Sequence, residues 1–160
     1  MEMNEKTNEK FNMEMKVDAI KNGSVLDHLP PGKALEIIRL LKINSAAPIL
    51  MGTNLISKKY GKKDILKIEN YELSQEELNT ISLLAPQADL TIIRDFKVAK
   101  KAQVSLPDTL AAVFNCPNLN CVTNHEKIPT KFKTGNKKGI KLKCLYCERR
   151  YTSEEVLKSI

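Results

Sequence analysis

Four cysteines, all in the last third of the chain, restrict its fold more than any other feature. They read Cys116-Pro-Asn-Leu-Asn-Cys121 and Cys144-Leu-Tyr-Cys147, with residues 122–143 between the pairs. A short Cys-x2–4-Cys turn of this kind presents two sulfurs, and zinc binds four thiolates tetrahedrally at about 2.3 Å. The two pairs therefore read as the knuckles of one Zn2+ site per chain. Disulfides require an oxidising compartment. The opening Met-Glu-Met-Asn-Glu-Lys has none of the apolar run of a secretory signal, so a cytoplasmic protein is expected. A redox pair at Cys144 and Cys147 alone leaves Cys116 and Cys121 without a role.

Ligand count decides what the metal does. A catalytic zinc keeps one position for water, whereas four protein sulfurs close the shell, so the expected site is structural. Residues 105–160 are too few to fold on apolar burial alone, and a module of that size needs a staple. Structural zinc supplies an apparent ~10–16 kcal/mol, enough to make folding conditional on the metal.

At 160 residues there is room for two small domains. No apolar run approaches the ~20 residues that span a bilayer, so no membrane partner is expected. The net charge of +7 points to an anionic partner: nucleic acid, a nucleoside triphosphate or an acidic protein. Its lysines are scattered over 58–63, 97–101 and 131–143, a distribution equally suited to solvated faces.

Residues 1–14 are polar and aperiodic, which reads as a disordered tail. Alternation predicts strands at 15–20 and 24–29, with Asn22-Gly23 as the turn between them. Pro30-Pro31-Gly32 opens a helix whose stripe is Leu35, Ile38 and Leu41, widened by Ile37. Strands at 48–55 and 64–69 flank a lysine-rich loop, Ser57 to Lys63. Ser74 and Glu77 form a capping box for a second helix that ends at Pro86. Two strands, 88–93 and 96–100, complete a β-β-α-β-β-α-β-β order. The fold class expected is α+β: a ferredoxin-like N-terminal domain with both helices on one face of an antiparallel sheet. A small β-rich, zinc-ribbon-like domain follows. It is a hairpin bearing the knuckles, with a tail helix started by Thr152 and Glu155. The domain limits expected are 1–14, 15–104 and 105–160.

Few groups converge for catalysis. Asp27 and His28 are adjacent, but strand neighbours point to opposite faces, which argues against a dyad. His125 lies near the knuckles, yet four sulfurs already satisfy the metal. Neither a Walker-type nor a Rossmann-type glycine motif is present. The aromatic residues Phe114, Phe132, Tyr146 and Tyr151 could stack on bases, but a module this small needs them as core. A zinc-ribbon nucleic-acid-binding protein is the rival reading, and a zinc hydrolase conflicts with the closed ligand set.

Several stretches together resemble the aspartate carbamoyltransferase regulatory chain family. They include Val17-Asp18-Ala19-Ile20, Val25-Leu26-Asp27-His28, the run from Gly61 to Asn70, Ala85-Pro86-Gln87-Ala88, Ser105-Leu106-Pro107 and both cysteine pairs. The resemblance implies a noncatalytic subunit of pyrimidine biosynthesis. Its N-terminal domain binds CTP or ATP as allosteric effector, and its zinc domain grips the catalytic chain, so that regulatory homodimers bridge catalytic trimers. No nucleic acid is implied. Carried over by position, Val17, Asp18, Ala19, Ile20, Ile93, Phe96 and Val98 frame the base. Asp27 and Lys67 face the ribose, and His28 and Lys101 the phosphates. Thr91 stands where an Asn often reads the base, Asp18 where Glu is expected and Phe96 where a Tyr hydroxyl is typical. These departures bear on which nucleotide is preferred.

Overall fold

A computed structural model describes residues 19–43, 46–135 and 140–160. The expected tail, the positions Val17 and Asp18, and residues 136–139 lie outside the described residues.

The first unit runs β1 (Gly23–Leu29), α1 (Lys33–Leu41), β2 (Ile49–Ser57), β3 (Gly61–Glu69), α2 (Gln75–Leu84), β4 (Asp89–Arg94) and β5 (Lys97–Gln103). Its sheet is antiparallel throughout, in the order β2-β3-β1-β4-β5. The first four strands and two helices make the ferredoxin-like split arrangement, and β5 joins as a hairpin extension. The strand expected over 15–20 is corrected at its described end, because Ala19 and Ile20 have no strand conformation. The reason is topological. β1 lies between β3 and β4, so a hairpin partner preceding it has no free edge to join. The lysine-rich loop also contracts: Gly61, Lys62 and Lys63 pair with Ser57, Ile56 and Leu55 as part of β3.

Alternation sorts the sheet into two faces. Leu26, Leu66, Leu90 and, one row away, Ile68 and Ile92 point to the helices and are buried with Ala34, Ile37, Ile81 and Leu84. This is the core. Gly23 begins β1 at φ 139°, and a Cβ there would sit 2.0 Å from the Ile68 carbonyl oxygen, so only glycine admits this close approach. The two ends of the helical layer are capped differently. At α2 the expected capping box is formed by Ser74 and Glu77. At α1 the N-cap is Gly32, which has no side chain to accept the free amides, and a carboxylate from β3 does so instead.

The second unit contains β6 (Thr109–Ala111), α3 (Val122–His125), β7 (Lys131–Thr134), β8 (Lys141–Cys144), β9 (Arg150–Thr152) and α4 (Ser153–Leu157). Its sheet is β6-β7-β8-β9, two strands wider than the expected hairpin. Leu110, Phe114, Phe132, Leu142 and Val156 fill its small core. The capping box of Thr152 and Glu155 starts α4 as the spacing predicts. Among the described residues no helix is long and apolar enough to cross a membrane.

Candidate functional sites

The cysteine pairs converge although residues 122–143 separate them. Cys116 and Cys121 sit on the turn before α3, Cys144 ends β8, and Cys147 lies in the turn toward β9. β7 pairs with β8 and β8 with β9, which carries the second pair up to the first. All four sulfurs lie within 4.8 Å of one another. Cys116 and Cys147 are 3.6 Å apart, and Cys121 and Cys144 3.9 Å. A tetrahedral zinc with bonds of about 2.3 Å requires sulfurs about 3.8 Å apart, so the set fits one metal ion. Asn124 Nδ2 donates to the carbonyls of Cys116 and Asn118, holding the first knuckle closed. Among the described residues, this is the only cluster of three or more such groups that could hold a metal.

The thiols are tuned unequally. Burial pushes Cys116 up to about 12 and also raises Cys144. Burial acts on Cys147 too, but there hydrogen bonds from the Arg149 amide, the Tyr151 hydroxyl and Asn118 outweigh it and hold the thiol down to about 6. Cys147 is also the one ligand that is only half-buried. A metal ion favours the thiolate at all four positions. With every ligand position filled by sulfur, the ion stabilises the fold.

The second candidate site is the sheet face that no helix covers. Strand register lines up Leu50, Lys67, Val25, Thr91 and Lys101 in one row across all five strands. The neighbouring rows on this face hold Ile93 and Val98 on one side, and Asp27 and Asp89 on the other. Six of the expected positions, Asp27, Lys67, Thr91, Ile93, Val98 and Lys101, thus share one face. Phe96 is 65% exposed at the β4–β5 turn, where Asp95 (φ 49°) and Phe96 (φ 61°) form a tight two-residue hairpin. That turn is stitched to the segment before β1: the Phe96 amide donates to the Lys21 carbonyl at 2.9 Å, and the Asp95 amide to Asn22 Oδ1 at 2.9 Å. Ala19 and Ile20 are therefore held near Phe96. Ile20 itself is 3% exposed, which leaves mainly its backbone to offer a ligand.

His28 departs from simple alternation. The register slips between Leu26 and Leu29, and His28 adopts φ 57°. This bulge brings its ring to the same cluster as Asp27, with Nδ1 3.9 Å from Asp27 Oδ2. The Nδ1–H donates to Asp89 Oδ2 at 2.9 Å, and Tyr60 meets the ring edge-on at 5.7 Å. Lys63 Nζ lies 2.7 Å from Asp27 Oδ1. Burial acts to raise the Asp27 carboxyl, but Lys63 and the His28 amide hold it below the ordinary carboxylate range. Lys63, Asp89 and Tyr60 were not legible as site residues. They reach the cluster through register and through a bulge, neither of which has a residue signature here.

Comparison with known proteins follows the same division. A family model described as the aspartate carbamoyltransferase regulatory chain, allosteric domain, matches residues 15–105. A second, described as the metal binding domain of that chain, matches residues 108–157. The chain is similar to the aspartate carbamoyltransferase regulatory chain of Pyrococcus abyssi, with 45% identity over 92% of this chain and 99% of the relative. It is 44% identical to that of Thermococcus gammatolerans, over 90% of this chain and 97% of the relative. Against that of Aeromonas hydrophila the identity is 42%, over 89% and 94%. Both family models are of a regulatory chain, not a catalytic one, and with relatives of this identity over nearly their full lengths they establish that the chain belongs to the aspartate carbamoyltransferase regulatory chain family.

Proposed function

We propose that this chain is the noncatalytic, allosteric subunit of a cytoplasmic aspartate carbamoyltransferase in pyrimidine biosynthesis. In this reading residues 15–104 bind CTP or ATP and residues 105–160 hold the catalytic chain. Residues 1–14 are a tail, and regulatory homodimers bridge catalytic trimers. The observation that carries the effector half is the cross-strand row with Lys67 and Lys101 on the helix-free face, beside the cluster of Asp27, His28 and Lys63. A triphosphate in a shallow site needs cationic donors. Lys101 takes that part, and His28 stands with it at the phosphate end. Asp27 and Lys67 face the ribose. Thr91, Ile93, Phe96, Val98 and the segment Val17, Asp18, Ala19 and Ile20 enclose the base.

The assembly half rests on the metal. A module whose fold depends on zinc presents its exposed Leu119, Val122, Leu145 and Tyr146 only while the ion is bound. An effector shifts the catalytic equilibrium by preferring one quaternary state, typically through a coupling of about 1–3 kcal/mol.

The test is to mix the chain with its catalytic partner and measure carbamoyl transfer with and without CTP and ATP, with calorimetry of each nucleotide on the free chain. Effector-dependent rates and saturable nucleotide binding are expected. No effector binding, together with tight DNA or RNA affinity that falls steeply with salt, would replace this reading by that of a zinc ribbon for nucleic acid.

A further inference from the structure

The metal centre has a side-chain neighbour that ligand counting does not predict. Tyr151 lies on β9 opposite Leu142 of β8, and its ring meets buried Phe132 edge-on at 6.4 Å. That packing aims the phenol inward. Its hydroxyl is 3.6 Å from Cys116 Sγ and 3.7 Å from Cys147 Sγ. Those sulfurs are themselves 3.6 Å apart, so the single phenolic proton is poised between them. The opposite pair receives its own hydroxyl, from Thr123 Oγ1 to Cys121 Sγ at 3.2 Å.

Four thiolates around a divalent ion leave a net charge of −2, and donors at the sulfurs disperse it. Losing an outer-shell partner of this kind typically costs about 10- to 100-fold in metal affinity. The charge is least protected at Cys147, because the other three ligands are buried and this one reaches solvent. Ring packing alone does not need the hydroxyl, since phenylalanine would serve Phe132 equally well.

We propose that the Tyr151 hydroxyl donates a hydrogen bond to the metal-bound thiolates of Cys116 and Cys147, and so guards Cys147, the exposed ligand, against metal loss and electrophilic attack. The inference is independent of the effector site.

Tyr151→Phe keeps the ring and removes only the donor. In the full-length chain, zinc transfer to a metallochromic chelator is expected to be roughly tenfold faster in the variant, by the usual weight of an outer-shell partner. Alkylation by iodoacetamide, mapped by mass spectrometry, is expected at Cys147 first and faster. With Co2+ bound, the sulfur-to-cobalt charge-transfer band is expected to move to lower energy, because a sulfur without its donor gives up an electron more readily. Packing does not move that band. Unchanged release and an unchanged band would overturn the proposal, and a shifted band with unchanged release would overturn the protective role. If Tyr151→Phe fails to load metal, 3-fluorotyrosine placed at position 151, a stronger donor of the same shape, reads the bond in the other direction. Slower release supports the proposal, and unchanged or faster release overturns it.

Discussion

Asp64 Oδ2 accepts the amide of Gly32 at 2.7 Å, so a strand residue caps the helix that its own sheet supports. The carboxylate is fully buried, and its other oxygen accepts the Asn54 amide of β2 at 3.0 Å. One side chain thus closes the N-terminus of α1 and the irregularity in β2, between Gly52 and Leu55. The positive end of the helix dipole favours the negative charge there. Asp64→Ala is expected to destabilise the N-terminal unit by about 1–2 kcal/mol, since it removes the cap of α1 and the acceptor of the Gly32, Ala34 and Asn54 amides. Urea unfolding followed by far-ultraviolet circular dichroism measures this as a lower midpoint with an unchanged slope.

On the helix-free face, Lys101→Ala removes a charged donor from the proposed phosphate end of the row. Loss of one charge-assisted hydrogen bond costs about 1.5–3 kcal/mol. CTP or ATP affinity by calorimetry is accordingly expected to fall roughly 10- to 100-fold. Gel filtration with the catalytic chain is expected to show assembly unchanged. Equal affinity in the variant would remove Lys101 from the site.

Metal affinity is expected to rise steeply with pH. At neutral pH, Cys116, pushed up to about 12, and Cys144, also raised, hold protons that the metal must displace. Each released proton gives tenfold per pH unit, so near pH 7 the apparent affinity should climb at least about 100-fold per unit. Below about 6 the Cys147 thiol also binds its proton, and the dependence steepens by one further factor of ten. Competition with a chelator of known affinity across pH 5.5–8 would show this, and a flat profile would exclude thiolate ligation.

Cys144→Ser replaces a fully buried ligand and is expected to unfold residues 105–160 and abolish binding to the catalytic chain. The sheet around Leu26 should retain its far-ultraviolet signal in the same variant. Co-elution of the variant with the catalytic chain would show that the metal is not needed for assembly.

Acid should expose the pairing of Asp27 with Lys63. A carboxylate held below its unfolded value contributes stability that is present above that value and is lost as pH falls through the folded one. Asp27→Asn is therefore expected to flatten the pH dependence of unfolding below about pH 4, near the unfolded carboxylate pKa. Urea midpoints at a series of acid pH values would report it. A profile identical to that of the unaltered chain would mean that the pair carries no net stabilisation.

How far these features could be read in advance follows from the range over which each is encoded. The four-sulfur site was visible because knuckle turns are local, and the capping boxes at Ser74 and Thr152 for the same reason. The strand expected at 15–20 failed at Ala19 and Ile20: Ala19 is exposed and Ile20 buried, the reverse of the alternation, which was also blind to topology. Local patterning does not reveal that both edges of β1 are already taken.

By itself, then, the order of residues determined the α+β class, the helix starts and the ligand set. The capping boxes and each cysteine knuckle depend on contacts within a few positions of the chain. Only the tertiary structure decided that Lys63 grips Asp27, that a left-handed His28 turns toward Asp89, that Asp64 caps α1 and that Tyr151 reaches two thiolates. These four relationships depend on strand register and on a bulge, which arise from packing distant segments together and leave no periodicity behind.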